Sequence, residues 1–192
     1  MAYERKRNKR IHLENTRIIF RPHFTDEPDR FGNTDRYFNV VLDEENPNNT
    51  YGYPGEDTPL KIEDLVNDGW NVRTQDGSDD YEPASFIKVK AAYRNRDGSE
   101  KRRKPNIIKQ IGGPSYKVRM TEDNIAELDE EYIENIDWLD INAYENPQKP
   151  GQHSGYVMNM CITVEDDPFA RQFDFDIPSS TAPIEEEDDV PF

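Results

Sequence analysis

Phe86, Lys88, Lys90 and Arg94 occupy even positions along and just beyond the extended run Ser85 to Tyr93, so they project from one face of a strand. Cations at that spacing follow phosphates, and a flat ring among them stacks on an exposed base, each stack contributing roughly 1 to 3 kcal/mol. The opposite phase, Ile87, Val89, Ala91 and Tyr93, is apolar and reads as core. Beyond the strand, Arg96, Lys101, Arg102, Arg103 and Lys104 surround the turn pair Asp97-Gly98, and Lys109 follows on the return strand. Residues 94 to 109 thus hold seven basic and two acidic side chains. Tyr144, opposite in phase to Leu139 and Ile141, offers a second stacking platform, expected to act as a pair with Phe86; Tyr37, Phe38 and Tyr116 are further candidates. A solvated strand face and a loop kept soluble by charge would look similar, but the cations are concentrated in a chain that is otherwise acidic.

A second chemistry lies at the chain end. Glu185, Glu186, Glu187, Asp188 and Asp189 repel one another and cannot be buried together, while Val190, Pro191 and Phe192 form a compact apolar tip beside the terminal carboxylate. Such a tip fits a small apolar pocket rimmed by Arg or Lys on another protein. A plain solubilising tail would not need Phe192.

The 192 residues suffice for one domain with tails. Hydrophobic and charged residues each make up 33%, which leaves much of the chain to loops. The net charge is −16; residues 165 to 192 hold ten acids against Arg171, or −9, so residues 1 to 164 carry −16 + 9 = −7. Nucleic-acid affinity follows local cation clusters and not this sum. No run approaches the roughly 20 apolar residues of a membrane helix, and the basic N-terminus is not a signal peptide. One cysteine, Cys161, excludes an internal disulfide and a cysteine zinc site, agrees with a reducing cytoplasm, and reads as a packing residue. Three scattered histidines, His12, His23 and His153, form no paired zinc motif, and no phosphate loop or nucleophile signature appears. The acids lie mostly in loops and tail without the convergence a magnesium nuclease needs, so neither enzymatic activity nor a cofactor is expected. An acidic DNA mimic that sequesters nucleic-acid enzymes would explain the charge but not the basic strand face.

The positioning elements read as strands. Residues 1–10 form a flexible basic arm. Thr16 to Phe20 is a first strand ended by Pro22, and Arg36 to Leu42 a second. Asp43 to Pro59 is a long loop, Leu60 to Asn67 a short helix stopped by Gly69, and Trp70 to Thr74 a third strand. The strand from Ser85 and the strand Ile107 to Ile111 read as a hairpin with a basic tip, broken by Gly112, Gly113 and Pro114. Thr121 to Glu131, with Thr121 as N-cap, predicts a second short helix, and Trp138 to Tyr144 and Tyr156 to Val164 are the last strands. About seven short strands with one or two short helices fit a mainly β chain, an antiparallel barrel of the oligonucleotide-binding type, with an immunoglobulin-like sandwich as runner-up. The domain covers residues 11–168, and residues 169–192 are a disordered acidic tail.

The acidic ending that closes on Pro191-Phe192 resembles the C-terminal tip of bacterial single-stranded-DNA-binding proteins. That resemblance implies docking on replication, recombination and repair proteins, and competition with DNA for the protein's own surface. The body is similar to bacteriophage single-stranded-DNA-binding proteins with an oligonucleotide-binding barrel. The similarity rests on Arg30-Phe31-Gly32-Asn33, Gly69-Trp70-Asn71-Val72, Phe86-Ile87-Lys88-Val89-Lys90-Ala91, the Lys/Arg-rich segment, Ile111-Gly112-Gly113 and the strand Trp138 to Tyr144. It implies non-specific binding and protection of single strands in phage replication or recombination, in the bacterial host cytoplasm, with no membrane partner. It also implies homodimers in which the tail takes part.

Overall fold

The computed structural model describes residues 7–77 and 82–166. Residues 1–6 of the basic arm and the whole tail from 169, with its candidate residues Asp188 to Phe192, lie outside the described residues. The chain is mainly β. Ten strands form one sheet: β1 (Arg10–Thr16), β2 (Ile18–His23), β3 (Tyr37–Val41), β4 (Thr50–Gly52), β5 (Arg73–Gln75), β6 (Ala84–Lys90), β7 (Asn106–Ile111), β8 (Lys117–Met120), β9 (Ile133–Glu145) and β10 (His153–Val164). One α-helix, α1 (Ile62–Asn67), and a 3₁₀ segment, Ile125–Asp129, complete the described elements. None of the described helices is long and apolar enough to cross a membrane.

Neighbouring strands run β2-β3-β6-β10-β9-β1-β4, with β5 added to β6, β7 to β10 and β8 to β7. Only Arg17 separates β1 from β2, so strands near both ends of this path belong to one bent segment and the sheet curls. Asn15 sits at the bend with φ 49, and Thr16 Oγ1 donates to Val41 O at 2.7 Å, which fastens the bend to β3. The sheet is not closed. It is mixed and not wholly antiparallel, because β6 and β7 both run parallel to β10. One continuous sheet replaces the two sheets of the sandwich alternative.

Period-two alternation explains which side chains face inward. Ile87, Val89, Ala91 and Tyr93 are all buried, as the phase of that run requires. On β10 the buried set shifts from Gly155 and Val157 to Met160, Ile162 and Val164, because the register slips between Val157 and Asn159. One extra residue at a bulge turns every later side chain to the opposite face.

Several elements depart from the sequence expectation. The first strand begins at Arg10, within the expected arm, because Ile11 and Leu13 are fully buried, in register with Ile141 and Leu139 of β9, despite their charged neighbours. It ends at Thr16, and after Arg17 a separate strand, β2, runs past Pro22 to His23, where an irregularity between Ile19 and His23 spares Pro22 a ladder bond. The 43–59 loop contains β4, paired to β1. Trp70 is buried outside β5 and makes a single bridge to His153. β6 and β7 are not a hairpin: each lies along a different part of β10, and the antiparallel mate of β7 is β8. The second helix shrinks to the 3₁₀ segment, with Asn124 Oδ1 accepting from Thr121 N at 2.6 Å in place of a Thr121 cap.

Candidate nucleic-acid interface

The pairing of β3, β6, β10, β9 and β1 decides what lies beside the cations of β6. Tyr37 is in register with Lys90, Lys90 with Tyr156, Tyr156 with Asn142 and Asn142 with Arg10. In-register residues share a face, so these five make one row across the sheet on the side opposite Ile87 and Val89. Lys88 is in register with Asn39 in the adjacent row, and its Nζ lies 3.7 Å from the Tyr37 ring centroid. Past the end of β6 the chain turns at Asn95 to Ser99, and Lys101 N donates to Tyr93 O at 2.9 Å. That return places Lys101 Nζ 4.4 Å from the Tyr156 ring centroid. Tyr144, exposed near the end of β9, stands edge-on to Tyr156 at 4.9 Å, and its hydroxyl accepts from Asn142 Nδ2 at 3.2 Å.

The cations divide into two groups. Lys88 and Lys101 rest on tyrosine rings and make no ion pair among the described residues. Burial, and then the neighbouring Lys90 charge, hold both ammonium groups below the usual lysine range. The negative charge of an arriving phosphate would offset both effects by favouring the charged ammonium. Arg96, Arg102 and Arg103 are exposed and make no ion pair among the described residues either. Lys90 pairs with Asp35 at 2.6 Å, Arg94 with Glu122 at 2.7 Å and Lys104 with Glu100 at 2.7 Å. Exposed pairs of this kind contribute about 1 kcal/mol or less, so these cations can exchange a carboxylate for a phosphate.

Two expected site residues are removed from the surface. Lys109 points inward with Ile107 on β7, is 4% exposed, and pairs with Glu131 at 2.6 Å. Phe86 is 7% exposed because Phe20 covers it edge-on, with ring centroids 5.2 Å apart. Phe86 and Tyr144 are not brought together: Phe86 is in register with Val41 and Arg73, whereas the ring beside Tyr144 is Tyr156. Of the other candidates, Phe38 is core, packed on Phe24, and Tyr116 stands at the β7–β8 turn. Sequence reasoning missed Tyr156, Arg73 and Phe20. The alternation around Val157 puts Tyr156 in the outward phase and was the available signal, while nothing local marks Phe20 as a cover for Phe86.

Beside the row opens a groove of about 1190 Å³. Tyr37, Lys88 and Lys90 line it together with Phe20, Arg21 and Arg30 from one side of the chain and Arg73 from β5. Cations and flat rings line it together with the carboxylates of Glu27, Asp29, Asp129 and Glu130. Among the described residues, no group of three or more His, Cys, Asp or Glu side chains could hold a metal ion. A family model described as a putative phage ssDNA-binding domain matches residues 1–191. No curated protein and no solved structure matches the chain.

Proposed function

The chain belongs to the family of phage single-stranded-DNA-binding domains, and from that premise we propose that it coats single strands without sequence preference on the outward face of β3, β6, β10 and β9. The observation that carries this reading is the placement of Lys88 and Lys101 on the rings of Tyr37 and Tyr156, beside Lys90 and without ion pairs among the described residues. Phosphates pair with the ammonium groups, while bases stack on exposed ring surface such as Tyr144. Arg96, Arg102 and Arg103 extend the positive potential beyond the end of β6. Contacts to phosphates and ring stacking carry no base-edge information, which supports protection of single strands during phage replication or recombination over sequence readout. A binding domain of this family also supports a non-enzymatic role. The acidic tail serves as a tethered competitor for the same face and as a handle for replication or recombination proteins.

Fluorescence polarisation with an unstructured oligonucleotide and its blunt duplex, at several salt concentrations, tests the proposal. Single strands should bind more tightly, with affinity falling steeply as salt rises. Equal or stronger duplex binding would overturn it and favour a duplex-binding or mimic role.

A further inference from the structure

The groove contains two exposed phenylalanines that the row of lysines and tyrosines does not use. Phe31, 72% exposed, stands in the connection between β2 and β3 with the Arg30 guanidinium 4.6 Å from its ring centroid. Its loop is built to hold one shape. The Asp29 carboxylate accepts from Phe31 N at 2.8 Å, Asn33 N at 2.9 Å and Tyr37 OH at 2.9 Å, and Gly32 adopts φ 82 to complete the turn. The Tyr37 bond ties the loop to the ring that carries Lys88. Phe20, 51% exposed, has φ 64, a left-handed backbone that a phenylalanine adopts only at a cost, and it lies in the irregular part of β2. Strain and a preformed loop thus both present a ring to solvent where burial would be favourable, which is the arrangement of a prepared binding site.

We propose that Phe20 and Phe31 form a base-holding subsite in the groove, where unpaired bases stack while Arg30 and Arg73 take the adjoining phosphates. Cations beside exposed rings favour a nucleic-acid occupant over an apolar peptide. Four carboxylates line the groove, but Asp29 is engaged by its own loop and Asp129 by Phe24 N and Thr25 N, although both keep their charge. Arg21, Arg30, Arg73 and Lys88 make no ion pair among the described residues and can take phosphates, while Lys90 is paired with Asp35. The inference rests on the proposed single-strand binding and names where on the molecule the bases are held.

The test uses the full chain, oligothymidine, and an abasic oligomer of equal length, which presents the same phosphates without bases. Wild type should prefer oligothymidine. Phe31→Ala and Phe20→Ala should each weaken that complex about tenfold, leave the abasic complex unchanged, and Phe31→Trp should restore it. Because Phe31 is 72% exposed, its variant should keep the wild-type thermal midpoint even if Phe20→Ala loses stability. If wild type binds neither oligomer, the single-strand reading itself falls. If wild type binds and Phe31→Ala holds oligothymidine equally well, or loses both oligomers equally, the subsite falls while the sheet-face reading stands.

Discussion

Lys88 and Lys109 have the same side chain, lie on strands of the same sheet, and do different work because of what faces them. Lys88 meets the π face of Tyr37, which attracts the ammonium without neutralising it. Substituting Lys88 and Lys101 together with Gln should lower single-strand affinity at least tenfold in low salt. Titrations across a salt series should show the slope of log K on log salt reduced by about 1.4, since two phosphate contacts are lost at roughly 0.7 each. Lys109 instead compensates Glu131 in the interior. Lys109→Met should leave that slope alone and cost about 2 kcal/mol of stability by denaturant unfolding, less than a fully buried broken pair because Glu131 keeps 30% exposure. His12 provides a pH test: its hydrogen bond to Asp140 at 2.7 Å raises its pKa to about 9 against the effect of burial, with Glu14 assisting. The folded value lies above the unfolded value of about 6.5, so this stabilisation is complete below pH ~6.5 and is lost as pH rises through about 9. Thermal unfolding should therefore show stability declining across that window in the wild type, and a flatter profile in His12→Gln.

At the scale of elements, β10 is the seam on which the interface depends. One edge pairs with β9 along its length, and the other is shared by β6 and β7. The start of β10 is fixed by the end of α1: His153 N donates to Gly69 O at 3.0 Å, and the His153 ring stacks on Trp70 at 6.0 Å. Trp70 Nε1 donates to Tyr51 OH at 3.1 Å, so β4 is tied in as well. Gly69 makes this junction at φ 85, and a Cβ there would lie 1.1 Å from Gly151 O. Backbone cannot yield as a flexible side chain would. Gly69→Ala should cost about 3 kcal/mol or more, from left-handed strain together with the clash, and appear as a large drop in the circular-dichroism melting midpoint. If the variant melts like wild type, the junction between α1 and β10 is not rigid in the way described.

For the whole molecule, a net charge of −16 and a cationic face coexist because the two are separated along the chain. Residues 178–192 lie outside the described residues, and the expectation for them follows from charge and tethering alone. An acidic segment on the same chain competes with phosphate at millimolar effective concentration. Deleting 178–192 should tighten single-strand binding, most at low salt where screening is weakest. Removing Phe192 alone retains the charges and should leave DNA affinity near wild type, while capture of replication or recombination proteins is lost in both variants. A Phe192 deletion that retained every partner would reduce the tail to a charge device.

Alternation with a period of two is local, and the sequence by itself therefore determined the mainly β class, the buried phase Ile87, Val89, Ala91 and Tyr93, and the outward phase of Lys88, Lys90 and Tyr144. The α1 helix and its end at Gly69 were legible for the same reason, since capping chemistry spans only a few residues. Which strands meet is not local. Consecutive β6 and β7 look like a hairpin, yet both pair with β10, more than fifty positions away, because that arrangement buries Ile107 and Met160 together with Val89. Only this tertiary pairing set Tyr156 beside Lys90, turned Lys109 toward Glu131, and laid Phe20 over Phe86. A strand's phase tells which side chains share a face, but the register of its neighbours, set by long-range burial, decides which cation meets which ring.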